Sequence, residues 1–375
     1  MKTRAAVLTS MKAPPPYATS LPLTVTDVEL LPPGPGEVLL RIRAAGLCHS
    51  DLSVIDGNRP RPLPMVLGHE AAGEVLEIGA GVKDLAVGDH VVTAFVPSCG
   101  HCAPCRDARP ALCEPGFAAN SAGTLLSGAR RLQRAGAALN HHLGVSCFAD
   151  HAVMARESLV RIDRSVSFAQ AAVFGCAVMT GTGAVLNTAA LPRNASVAVL
   201  GLGGVGLAAL LGAKLREARE IVAVDLSDRK LALARELGAT RCYNAADPDV
   251  VAKIREDSKG GLEYTFEMAG SVRALETAWL ITRRGGTTVT AGLSNPEAKF
   301  TVGHLGIVAE ERTLKGSYLG SCVPSRDIPL YIQYFQQGKL PVDRLLAERI
   351  TLTDINAGFD RLASGETVRQ IIEFP

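Results

Sequence analysis

The sequence predicts an α/β protein in two parts: a doubly wound parallel sheet in the middle of the chain and a β-rich domain built from the sequence on either side. Three observations predict this. Residues 196–225 read as strand, glycine-rich turn, helix and strand. Helix-like and strand-like segments, among them LALARELGA, YTFEMAG, ALETAWLIT and TTVTAGL, keep alternating to about Tyr318. The flanks, 1–178 and 319–375, are richer in proline and short β-like runs, which places the middle domain at 179–318. A chain of 375 residues is long enough to bury sizeable cores in both parts.

Composition narrows the function classes. With 47% hydrophobic and 20% charged residues, the balance is that of an ordered globular protein. A net charge of +2 and 5% aromatic residues, with no basic stripe, give no footprint for nucleic acid or an anionic membrane. No run of about 18 apolar residues suggests a membrane span. Met1–Tyr17 starts basic but lacks the apolar core of a secretory signal. The expected compartment is the cytoplasm, where thiols stay reduced and disulfides are not expected.

The middle domain opens with SVAVL, Ser196–Leu200, expected as a buried strand. GLGGVG follows, supplying Gly201, Gly203, Gly204, Val205 and Gly206 in a G-x-G-x-x-G pattern, and then a helical run. The next strand, EIVAVD, ends in Asp225, 19 residues beyond Gly206 (225 − 206). A lone G-x-G-x-x-G is weak evidence; between strand and helix, with an acid at this distance, it is the Rossmann arrangement. The glycines let the backbone approach a pyrophosphate at a helix N-terminus. Asp225 can accept hydrogen bonds from a ribose diol and would repel a 2′-phosphate, so NAD is expected over NADP, with Arg229 and Lys230 close by as the competing observation.

In the first flank, Cys99, Cys102, Cys105 and Cys113 have the spacing C-x2-C-x2-C-x7-C. Three cysteines two residues apart can aim three sulfurs at one centre, and the fourth returns after a short lobe. Gly100, Pro104 and Pro110 suit a tightly turned loop without regular structure. A thioredoxin-like pair would need one C-x-x-C opening a helix. Crowded metal-free thiols would invite oxidation. The reading is a closed structural zinc site with four cysteine ligands.

Three other segments, GLCHSD, LGHEAAGEV and FGCAVMTG, hold Cys48, His69 with Glu70, and Cys176. Spacing alone cannot show that they meet. The pattern Gly68-His69-Glu70-x2-Gly73-x5-Gly79-x2-Val82, however, resembles the signature of zinc-containing alcohol dehydrogenases of the medium-chain dehydrogenase/reductase family. The resemblance covers nearly the whole chain, from the Cys48 loop through the cysteine lobe, the Cys176 turn and the glycine-rich loop to VRQIIEF. Residues 117–145 resemble the extra loop of the long-chain members.

The resemblance implies a GroES-like β-rich catalytic domain beside the Rossmann domain. It implies a catalytic zinc held by Cys48, His69 and Cys176, hence two zinc ions per chain, with Glu70 close behind the metal. Asp51 would accept a hydrogen bond from the other ring nitrogen of His69. Lys230 would help bind the adenosine ribose, and Arg369 would contact the pyrophosphate. Ser50 would take the proton of an alcohol; Ser53 stands where a relay histidine often ends the path, leaving solvent or His49 as the terminus. Phe95, His142, Leu143, Leu293 and Tyr318 would line the substrate pocket, whose apolar walls suit medium-chain, allylic or aromatic primary alcohols. A homodimer or a tetramer is implied. The alternative activity is glutathione-dependent formaldehyde oxidation; the family's arginine for it falls on Phe117, with Arg130 and Arg131 as substitutes. A third reading is a scaffold that binds NAD without chemistry.

Overall fold

The computed structural model describes the whole chain, Met1–Pro375. The chain divides into two compact units: Met1–Cys176 with Val323–Ile332 and Leu346–Pro375, and Ala177–Cys322 with Gln333–Leu345. The expected boundaries at 178 and 319 need correction. The first unit stops at Cys176, and both 319–322 and 333–345 belong with the middle domain. The physical reason for the second shift is a cluster of apolar side chains: Leu340, Val342 and Leu345 are buried, and the turn Val342–Leu345 packs against the helix Gly204–Leu215.

The second unit is built on a six-stranded sheet in the order Arg241–Asn244, Glu220–Asp225, Ser196–Leu200, Leu262–Glu267, Thr282–Thr290, Thr313–Gly316. All its pairings are parallel. Ser196–Leu200 is buried at every position, which is why it reads as an unbroken apolar run rather than an alternating one. It pairs with Glu220–Asp225 on one side and Leu262–Glu267 on the other, so the strand order reverses beside it. In doubly wound sheets that reversal point is where ligands bind. Gly201 follows at φ +87°, a conformation few side chains tolerate. A Cβ on Gly206 would lie 1.7 Å from the Gly201 carbonyl oxygen, so only glycine lets the helix start this close to the strand.

The first unit holds a closed barrel and a seven-stranded sheet. The barrel runs Lys2–Leu8, Leu23–Leu30, Leu132–Arg134, Ala137–His141 and Met65–Val66. In the sheet, Glu37–Gly46 pairs with Ala71–Ile78, His151–Ala155 and the C-terminal strand Arg369–Glu373. Residues 117–145, expected as an extra loop, supply two of the barrel strands. A buried carboxylate pins them. Glu37 accepts from Arg131 Nε at 2.6 Å, Ser127 Oγ at 2.7 Å and the Gly34 N–H at 2.8 Å. The Arg131 N–H in turn donates to His141 Nε2 at 3.0 Å. No single helix is long and apolar enough to cross a membrane.

Candidate metal and cofactor sites

The cysteine lobe departs from the expected irregular loop. It contains the one-turn helix Ala103–Arg106 and the turn Pro110–Leu112, and Cys113 caps the helix Glu114–Ala122. Prolines open all three, where a missing N–H costs nothing. Together these turns fold the four sulfurs inward, within 4.8 Å of one another. Backbone N–H groups point at them: Cys99 N lies 3.2 Å and Gly116 N 3.4 Å from Cys113 Sγ, and Cys102 N lies 3.4 Å from Cys99 Sγ. Without a cation the thiols split. Cys105 is pushed up to about 12, first by burial and then by neighbouring sulfurs. Cys102 falls to about 6: against desolvation, backbone N–H groups of Cys105 and Glu114 favour its thiolate. Four thiolates this close need a divalent cation to coexist, and the donor set fits a closed structural zinc.

The second set is assembled by the fold. Cys48 precedes the short helix His49–Ile55, His69 leads into the strand Ala71–Ile78, and Cys176 ends the turn Val173–Gly175. Their ligand atoms lie within 4.8 Å of one another, and all three residues are buried. His69 Nδ1 is 3.1 Å from Asp51 Oδ1, which fixes the tautomer, while His69 Nε2 is buried with no hydrogen-bond partner. An orphaned imidazole nitrogen facing two thiols fits a metal. The thiols agree: Cys48 is held well below its ordinary range by its hydrogen bond with Cys176 and by Arg369, while Cys176 is pushed up by Cys48 and burial. Three ligands leave one tetrahedral position open, as in a catalytic zinc site.

Around this centre the structure brings together several expected residues. Asp51 and Glu70 are fully buried. The Gly68 N–H donates to Asp51 Oδ1 at 3.1 Å. Phe95 meets the His69 ring edge-on at 5.0 Å between centroids. Leu143 is buried in the same unit with φ +52°. His142, expected in the pocket wall, places Nδ1 3.1 Å from the same Asp51 oxygen that serves His69. Arg369 is buried; it donates to the Leu47 carbonyl at 2.7 Å, with Nε 3.5 Å from Glu70 Oε1. Its side chain thus lies beside the metal ligands. His49 and Ser50 open the helix after Cys48, and Ser53 Oγ donates to the His49 carbonyl at 2.8 Å. Leu293 and Tyr318 belong to the second unit, where Leu293 is exposed.

In the second unit, Asp225 is fixed by the N–H groups of Leu202 at 2.6 Å and Ser227 at 2.9 Å. It lines a pocket with Gly201, Leu226, Ala245, Ser271 and Arg273. Lys230 lies in the first turn of the helix Asp228–Leu237, capped by Ser227. Gly203 is the N-cap of the helix that begins with Gly204, Val205 and Gly206. Sequence reasoning missed the far wall of this pocket, Ala269 to Thr277. Those residues follow Asp225 by more than forty positions and carry no motif; the one available signal was that a helix there had to pack beside the first strand of the sheet.

Comparison with known proteins gives the family. Residues 34–164 match the family model of the alcohol dehydrogenase GroES-like domain, and residues 204–337 that of the zinc-binding dehydrogenases. The chain is 33% identical, over the full length of both proteins, to an S-(hydroxymethyl)glutathione dehydrogenase from Synechocystis sp.. Among solved structures it is similar to an alcohol dehydrogenase zinc-binding domain protein from Burkholderia ambifaria (35% identity, TM-score 0.93, covering 100% of this chain and 99% of that one). It is also similar to the benzyl alcohol dehydrogenase of Acinetobacter calcoaceticus (32% identity, TM-score 0.92, both chains fully covered). With a buried Cys-His-Cys centre, a four-cysteine lobe and a six-stranded parallel sheet in place, the chain belongs to the zinc-containing alcohol dehydrogenases of the medium-chain dehydrogenase/reductase family.

Proposed function

We propose that this oxidoreductase interconverts alcohols, above all primary ones of medium-chain, allylic or aromatic type, with their aldehydes or ketones, using NAD. The observation that carries this reading is the buried Cys48–His69–Cys176 centre, with its unpartnered His69 nitrogen and the apolar Phe95 ring against it. Bound there, zinc supplies a Lewis acid that favours the ionised form of an alcohol hydroxyl. The chain's own residues do the rest. Asp51 holds the His69 tautomer. Ser50 accepts the hydroxyl proton and hands it toward the nicotinamide ribose, with solvent or His49 as terminus. Phe95 and Leu143 form an apolar wall. Asp225 keeps carboxylate lone pairs for a ribose diol, which favours NAD. Lys230 and Arg369 complete the cofactor contacts in this reading.

A second reading, oxidation of the glutathione adduct of formaldehyde, is favoured by the names of relatives at 33–34% identity. It requires cationic groups for the glutathione carboxylates, and both candidate substitutes have structural employment. Arg130 is bonded to Asn140 Oδ1 at 2.9 Å and the Ala122 carbonyl at 2.8 Å. Arg131 is paired with Glu37. Phe117 is exposed and uncharged. A steady-state screen decides: benzyl alcohol and medium-chain alcohols with NAD should be turned over better than formaldehyde plus glutathione. The opposite order overturns the substrate reading. Faster turnover with NADP than with NAD at equal concentration overturns the cofactor reading.

The proposed assembly is a homodimer, with a tetramer as the larger alternative. The parallel sheet ends on Thr313–Gly316, which is exposed along its length and includes Leu314; Leu305 and Val308, in the preceding helix His304–Glu310, are exposed too. An open sheet edge can be covered by a second copy of the chain. Light scattering on the purified protein reads the mass directly. We place the protein in the cytoplasm: all nine cysteines are free thiols, and six of them belong to metal-ligand sets.

A further inference from the structure

We infer that Glu267 is a positioning residue for the cofactor's adenosine half, holding the two loops that frame the pocket; the inference rests on the reading of the second unit as the NAD site. Glu267 is the last residue of the strand Leu262–Glu267 and is only 1% exposed. It lies opposite Leu200, the residue before the glycine turn, at the point where the strand order reverses. A carboxylate this deeply buried is ordinarily paired with a cation. Glu267 has no salt bridge and is satisfied by hydrogen bonds alone. Oε1 accepts from the N–H groups of Ala269 at 2.8 Å, Gly270 at 2.6 Å and, weakly, Ser271 at 3.5 Å. Oε2 accepts from Thr290 Oγ1 at 2.7 Å. Its backbone carbonyl accepts from Ala291 N at 3.0 Å and Gly292 N at 3.3 Å.

One residue thus ties the turn after its own strand to the turn after the neighbouring strand Thr282–Thr290. The spacing admits nothing larger. A Cβ on Gly292 would meet Gly270 N at 2.1 Å and Glu267 Oε1 at 2.9 Å. Gly270, at φ +71°, abuts the Leu293 backbone. The consequence reaches the ligand side. Ala269 and Ser271 line the Asp225 pocket, and Ser271 caps the helix that brings Arg273 and Thr277 to it. Ala269 also stands against the first glycine of the turn: a Cβ on Gly201 would lie 2.7 Å from the Ala269 N and Cβ. Glu267 therefore sets the wall opposite Asp225 and the floor under the glycine turn. Three backbone donors sharing one buried anionic acceptor make a rigid nest, and removing that acceptor takes away the group that holds all three in place.

The test uses NADH as probe, followed by its fluorescence on titration into the zinc-loaded protein, with kcat measured at saturating NAD. Glu267→Gln keeps an acceptor for the loop and a hydrogen bond to Thr290, so NADH affinity should stay within about threefold of the unsubstituted protein. Glu267→Ala should weaken it by about tenfold or more, while kcat at saturation changes less than about threefold. Thr290→Val, which frees only Oε2, should fall between them, and it decides the matter if Glu267→Ala does not fold. Equal NADH affinity in the wild type and Glu267→Ala, or in the wild type and Thr290→Val, overturns the inference alone. Equal losses in Glu267→Ala and Glu267→Gln overturn it too, since charge rather than loop placement would then be at work. Failure of the unsubstituted protein to bind NADH overturns the cofactor reading, and this inference with it.

Discussion

The two sulfur-rich sites are built in opposite ways. The lobe takes four ligands from one short stretch, Cys99 to Cys113, and three of them are partly open to solvent. The catalytic set takes three ligands from positions 48, 69 and 176, all buried. Local turns alone bring the lobe sulfurs together. The other three meet only because separate strands and turns of one folded unit deliver them. The lobe's ligands are supported by backbone N–H groups; the catalytic histidine is supported by a side chain, Asp51, itself buried and shared with His142. A closed set supplies folding energy, and an open set supplies chemistry.

Several substitutions sharpen or break that contrast. The largest expected effect is on turnover: Cys48→Ser should lower kcat at least about a thousandfold and remove one of two zinc ions, with the melting temperature little changed. Cys105→Ser should do the reverse, costing several kcal/mol of stability through the lobe. Zinc analysis and thermal melts on both proteins read the outcome, and equal unfolding in both would erase the distinction. Acid comes next. His141 is held down at about 4, first by burial. The folded chain therefore refuses a proton that the unfolded chain accepts below about 6.5. That contribution is whole above pH 6.5 and is lost as pH falls toward 4, on the order of 3 kcal/mol in all. His141→Gln should flatten this part of the urea-denaturation pH profile without touching the metal content. An unchanged profile removes His141 from the account. The smallest effect is expected for Asp51→Asn, which should weaken the catalytic zinc by about 10–100-fold against a chelator and leave the lobe zinc alone. Loss of both zinc ions together would mean the two sites are not independent.

What the sequence discloses follows the same division. The lobe is readable because its spacing is local. SVAVL-GLGGVG and Asp225 are readable because strand, turn and helix leave periodic and glycine signals over thirty residues. Cys48, His69 and Cys176 are joined only by resemblance to a known family, since nothing in their spacing shows that they meet. Glu267, and the contact of His142 with Asp51, leave no local trace. Each acts through a partner that the fold supplies, a neighbouring loop for one and Asp51 for the other. The return of residues 333–345 to the second unit is likewise invisible, because a few buried aliphatic residues there look the same whichever core they join.

The pairing of Arg369–Glu373 with Glu37–Gly46 bears on how the protein is made. During synthesis the segment 177–322 leaves the ribosome as one contiguous run and holds every strand of its own sheet. The first unit has to wait. Its central strand lacks one neighbour until Arg369–Glu373 emerges, and Arg369, beside Glu70 and the thiols, arrives with it. Contacts separated by more than three hundred residues form slowly. The nascent chain thus acquires a nucleotide-type domain before a complete metal environment, so a translation product truncated before Arg369 would carry the zinc ligands without the arginine beside them.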